Sequence, residues 1–284
     1  MKPYEWMVTY TPQTDWIKGG GVIVWLSFFT GIFGSGAYLA SLYFNNLTGM
    51  VISWLIITVL KGGLHVGHAK KPFRLWRMVL KVRTSWIARG TVFTALLALV
   101  GAVQIILSYR MPGTTWETLF KVLAGIAAFA ILIYEGFTIN YITGIPFWNS
   151  ALLPVTLICW GVLNGLALIA AVGAGEGYIA AVAMGSRIAL VVTIILIVLY
   201  LWNAIYAGAT ARESVREITQ GGLGFIFWVG VFLIGILIPL FISFGGSLQV
   251  SSQAILLLVC EIIGTLAFTY GVFKAGGYGS LVSA

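Results

Sequence analysis

"GGGVIVWLSFFTGIFGSGAYLASLYFNNLTGMVISWLIITVL", residues 19–60, contains no Asp, Glu, Lys or Arg. Soluble domains carry about a quarter of their residues as charged groups. A bilayer's hydrocarbon core instead demands about 20 apolar helical residues for one crossing. The stretch is long enough for two crossings, and "NNLTG" (45–49) supplies a turn between them. The pattern recurs outward along the chain: residues 91–109, 136–175, 188–211 and 218–260 are also nearly free of charge. Of the 284 residues, 60% are hydrophobic and 8% charged, and the mean hydropathy is +1.01. Strands of a membrane barrel would alternate apolar and polar residues, which these runs do not. The sequence therefore describes an all-α polytopic integral membrane protein, eight transmembrane helices in one bundle, with residues 1–284 forming a single transmembrane domain. The spans expected are about 18–43, 47–67, 89–109, 119–142, 150–172, 178–207, 221–244 and 252–273. They are separated by "NNLTG", a long basic stretch, "SYRMPGTTWE", "TGIPFWNS", "GAGEG", "ARESVREITQGG" and "FGGSLQVSS".

The basic stretch, "KGGLHVGHAKKPFRLWRMVLKVRTSWIARG" (61–90), holds both histidines and eight of the sixteen Lys and Arg residues. An even number of spans puts both termini on one side, together with this loop and the loop after span 6. That side carries Lys2, Lys70, Lys71, Arg74, Arg77, Lys81, Arg83, Arg89, Arg212, Arg216 and Lys274; the other carries Arg110 and Lys121. Cytoplasmic loops collect Lys and Arg, so the termini and the basic loop are expected in the cytoplasm, in the cell's inner (cytoplasmic) membrane. Topology needs fewer cations than this. The surplus points to a docking surface or to anionic headgroups rather than to nucleic acid. Residues 1–15 lack the apolar core of a cleavable signal peptide. Cys159 and Cys260 sit inside apolar runs and read as small membrane residues. Trp76, Trp86, Trp116 and Trp148 read as interface anchors.

Two histidines three residues apart at one helix end cannot supply opposed axial ligands for a haem, and there is no cysteine cluster for an iron–sulfur centre. Any redox chemistry needs electrons from a partner, with a bound quinone as the go-between. Intramembrane ionisable residues are costly and mark candidate sites. There are four: Lys61, Glu135, Arg187 and Glu261. At 1.5 Å per helical residue, Lys61 and Glu135 both lie roughly 10 Å below the basic face. Tyr134 adjoins Glu135, His65 and His68 stand above Lys61, and Asp15 and Trp16 enter span 1 at the same level. This convergence has the makings of a quinone headgroup pocket: hydrogen-bond donors for two oxygens and an ionisable group near water. A Lys61–Glu135 pair could equally be structural, each ion neutralising the other. Arg187 and Glu261 lie some 13 Å in from the opposite face, as a structural salt bridge or a step in a proton path. A secondary transporter or channel using the same Glu, Arg and Lys groups is the alternative; no internal repeat supports it.

Three stretches carry a family resemblance. "HVGHAKKPFRLWRMVLKVRTSWIARG" (65–90), "YEGFTINYITGIPFWNSALLP" (134–154) and the Gly-rich "TGIFGSGAYLASL" (30–42) together resemble the NrfD/PsrC family. Its members are quinone-reactive membrane subunits of polysulfide, nitrite and dimethyl sulfoxide reductase-like complexes. The resemblance covers most of the chain. It implies that Tyr134 belongs to the family's Tyr-x-Gly motif, and that His65 or His68 takes the place of its histidine after span 2. The first span has no histidine, so Asp15 or Lys18 would stand in for the one some members carry there. It further implies menaquinone or ubiquinone as ligand, with no haem or iron–sulfur cluster in this chain. The implied partners are a ferredoxin-like iron–sulfur subunit and a molybdopterin catalytic subunit, docked on the basic-loop face.

Overall fold

In the computed structural model, residues 11–69, 71–175, 177–245 and 251–279 are described. Lys2, Lys70, Glu176 in "GAGEG" and most of "FGGSLQVSS" lie outside them. The eight spans are Gly21–Tyr43, Leu47–His68, Trp86–Arg110, Thr115–Asn140, Leu152–Val172, Ile179–Tyr206, Ile226–Phe244 and Ser252–Ala275. Span number and order are as expected from hydropathy, with ends displaced by a few residues.

Span 1 is the hub. It packs against spans 2, 4, 5 and 8, and its glycines explain how it gets close enough. A Cβ on Gly36 would strike the carbonyl of Gly161 on span 5, and one on Gly165 would strike Gly36. Gly161 and Gly165 are spaced as the small-x-x-x-small pattern that lets membrane helices touch backbone to backbone. Spans 3 and 6 sit at the periphery with most of their surface outward.

Polar side chains join the helices where no hydrophobic effect can do so. Tyr38 of span 1 donates to Gln104 of span 3 at 2.6 Å, Gln104 donates to Ser108 at 2.8 Å, and Ser108 donates to Glu117 of span 4 at 2.7 Å. Glu117 also accepts from the Gly113 amide and pairs with Lys121 at 2.7 Å, closing the turn between spans 3 and 4. The "PFWN" corner (146–149) is pinned similarly. Tyr200 donates to the Phe147 carbonyl at 2.8 Å, and the Trp148 indole donates to the Val272 carbonyl at 2.8 Å. Trp148 is wholly buried, so it is a core residue and not the interface anchor expected; Trp76 and Trp116 are exposed.

Two connections are more ordered than expected. A surface helix, Ala209–Thr219, takes in most of "ARESVREITQGG" and buries Thr210, Ala211, Ser214, Val215 and Ile218, an amphipathic spacing of three and four. The basic stretch contains a 3-10 helix, Pro72–Lys81, with proline at its start. Thr11–Pro12 pairs antiparallel with Gly277–Tyr278. This tie holds the segment before span 1 against the end of span 8, on the same face as the basic loop.

Candidate functional site

Span 2 is not a uniform α-helix. Ile56–Lys61 winds as a π-helix between two α-helical pieces. Such turns take in one extra residue and recur at functional sites. This one ends on Lys61, which is turned inward and fully buried. Its ammonium meets the Glu135 carboxylate of span 4 at 2.5 Å. The pair lies against Gly31 of span 1, where a Cβ would collide with both the carboxylate and the ammonium. Lys61 also donates to the Ser27 carbonyl at 3.2 Å, whereas Glu135 has no hydrogen-bond donor beyond its ion-pair partner among the described residues. Two charges withdrawn from water in this way are stable only together.

Above the pair, towards the basic face, lies a cavity of about 290 Å³. Its polar lining is Ser27, His65, His68 and Tyr134; its apolar lining includes Trp16, Phe28, Leu75 and Met78. His65 Nδ1 and Ser27 Oγ are 2.6 Å apart. Ser27 therefore touches both His65 through its hydroxyl and Lys61 through its carbonyl. A polar connection thus runs from the cavity wall to the buried pair. The Phe28 ring stacks on Tyr134 with centroids 6.3 Å apart, and Lys61 stands 5.5 Å from the Tyr134 ring centre. The cavity is amphipathic: aromatic and aliphatic on most sides, with imidazole and hydroxyl groups on one.

The structure thus gathers Tyr134, Glu135, Lys61, His65 and His68. Asp15 it does not: the residue is exposed and outside the cavity lining, because the chain turns at Thr14–Lys18 so that Trp16 points inward instead. Arg187 and Glu261 are not paired either. Arg187 donates to the Ser243 carbonyl at 2.8 Å and stands over the Phe244 ring. Glu261 is buried with both carboxylate oxygens unpartnered among the described residues. Span 6 packs on span 5 and the end of span 7, while span 8 packs on spans 1, 5 and 7. Equal depth put the two residues at one level, but on different sides of their neighbours. Sequence reasoning missed Ser27 and Phe28, neighbours on span 1. It also missed Leu75 and Met78, hidden in a loop dominated by its charges. Leu75 and Met78 are three residues apart, the period of a 3-10 helix, which was the available signal. Among the described residues, no group of three or more His, Cys, Asp or Glu side chains is arranged to hold a metal ion.

Fold and site together define an eight-span helical membrane protein with an amphipathic cavity at one face and, joined to its wall through Ser27, a buried ion pair. A family model described as "Polysulphide reductase, NrfD" matches residues 16–278, and the chain belongs to the NrfD family. It is similar to the protein NrfD homolog of Haemophilus influenzae, at 26% identity over 166 residues, covering 55% of this chain and 52% of that protein. It is also similar to the C subunit of polysulfide reductase from Wolinella succinogenes, at 22% identity over 169 residues, covering 55% and 53%. The matched region thus spans about half the length of these relatives.

Proposed function

We propose that this protein is the membrane subunit of a respiratory oxidoreductase and that its cavity binds a quinone headgroup, menaquinone or ubiquinone. Electrons pass between that quinone and an extrinsic ferredoxin-like iron–sulfur subunit, itself serving a molybdopterin catalytic subunit. Family membership supports the class of protein, and one relative carries the name polysulfide reductase. The observation that carries the quinone reading is the cavity itself: about 290 Å³, apolar on most sides, with His65, His68, Ser27 and Tyr134 on its wall and a buried ion pair beneath. A quinone needs an apolar slot for its ring and polar groups for two oxygens, and this lining offers both.

When bound, a quinol supplies two electrons and two protons. The residues of this chain hold the ring and take the protons. Phe28 and Trp16 give it flat apolar surface, and Leu75 and Met78 close the side towards the basic loop. With Nδ1–H donated to Ser27, the other ring nitrogen of His65 accepts one hydroxyl proton, and exposed His68 accepts the second and releases it to water, while both electrons leave for the iron–sulfur partner. Tyr134 donates its hydroxyl to an oxygen. The Lys61–Glu135 pair fixes Ser27 from below and so keeps the histidine oriented.

We place the basic loop and termini in the cytoplasm, on the cation asymmetry, and the iron–sulfur partner on that face. The test is quinol-linked turnover of the purified complex. Tyr134→Phe and His65→Ala should each lower it by roughly tenfold or more, the loss expected from removing a positioned proton-transfer or hydrogen-bonding group, at unchanged complex yield. Normal turnover in both variants removes the cavity from the reaction.

A further inference from the structure

We infer that the 3-10 helix Pro72–Lys81 is an anionic-phospholipid site at the membrane surface, and that the lipid holds down one wall of the cavity. With three residues per turn, side chains three apart along this helix stack into three faces. Leu75 and Met78 form the face that lines the cavity. Phe73, Trp76 and Val79 form a second, pointing away from the protein at 95%, 63% and 60% exposure. Arg74, Arg77 and Leu80 form a third, all exposed, with Lys71, Lys81 and Arg83 exposed at the two ends of the helix. Between Asp15 and Glu117 the sequence has no acidic residue to neutralise these cations.

The tethers decide where this helix can go. Three residues join it to the end of span 2 and four to the start of span 3, so the helix ends can be at most about 14 and 18 Å apart. It is therefore confined to the level where two membrane helices end. Phe73 and Trp76 would be large apolar groups left in water anywhere else. At that level a headgroup–acyl boundary receives them, as it does the apolar face of other surface-lying helices. The row of cations beside an apolar row fits phosphate-bearing headgroups of net negative charge. An acidic partner protein would match the cations but leave the outward aromatic row unexplained. Since Leu75 and Met78 belong to the same short helix, lipid binding on one face fixes the cavity wall on another.

The lipid site stands whatever the cavity holds, and its test needs neither quinone nor partner. The full chain, with Cys159→Ser and Cys260→Ser, receives a spin label at Phe73→Cys. It is reconstituted in nanodiscs of phosphatidylcholine alone or of an equal mixture with phosphatidylglycerol. Accessibility to oxygen and to a water-soluble nickel chelate then reports depth. In the mixture the label should be accessible to oxygen and shielded from nickel. In phosphatidylcholine it should be more open to nickel. In the triple variant Arg74→Gln, Arg77→Gln, Lys81→Gln the difference between the lipids should vanish. A label equally open to nickel in both bilayers overturns the inference. So does a label shielded only when an acidic protein copurifies, which would make this a protein-docking surface. A folding control at Leu99→Cys, exposed in mid-span 3, should read as lipid-embedded in every preparation.

Discussion

Replacing Lys61 by methionine removes one half of a pair in which both residues are fully buried and the ions are 2.5 Å apart. The consequence depends on which half remains. Glu135 has no other hydrogen-bond donor among the described residues, so the variant strands a carboxylate inside the bundle. Breaking a buried pair from one side costs about 3–5 kcal/mol. Glu135→Gln leaves a milder defect. Lys61 keeps the Ser27 carbonyl, and the new amide oxygen still accepts from it, so the loss should lie at the low end of the same range, about 3 kcal/mol. Replacing both, Lys61→Met with Glu135→Leu, removes both charges together and should restore most of the stability, as uncharged substitutes for buried pairs do. The assay is thermal unfolding of the purified chain in detergent, followed by loss of monodisperse elution. Lys61→Met should melt roughly 10 °C below the parent, Glu135→Gln less far, and the double variant nearest the parent. Equal losses in the two single variants would refute the asymmetry. A double variant no better than Lys61→Met would refute the pair.

Placement sets two further expectations. Arg187 and Glu261 contact different partners, so Arg187→Met and Glu261→Gln should affect thermal stability additively, to within about 0.5 kcal/mol; a double variant that recovers stability would pair them after all. For orientation, Ala69→Cys should resist an impermeant maleimide in intact cells, while Met111→Cys, in the turn after span 3, should react; the reverse result turns the protein over and moves the docking face.

The spans were legible because hydropathy sums over some twenty residues, so errors at single positions cancel. That Lys61 and Glu135 lie level was legible by arithmetic, because residues per turn fix depth. Depth is only one coordinate. Arg187 and Glu261 also matched in depth, yet which way a side chain points around its helix depends on neighbours, and spans 5 and 7 intervene. The π turn at Ile56–Lys61 was hidden because an extra residue per turn leaves no mark on composition, although it aims Lys61 inward. Ser27 was overlooked for a related reason. A lone hydroxyl in an apolar run reads as filler until His65 and Lys61 are found on either side of it. Asp15 was misplaced because a turn of five residues swings the exposed and buried sides of the chain, and nothing in its composition says which way.

The measurement that bears most directly on the central claim is photocrosslinking of the intact complex with an azido-quinone, followed by mapping of the labelled peptides. Label should fall on the segments that carry Trp16–Phe28, Leu64–Met78 and Tyr134, and excess unmodified quinone should abolish it. Competable label confined to spans 5–8, or none that quinone displaces, would contradict a quinone site in this cavity.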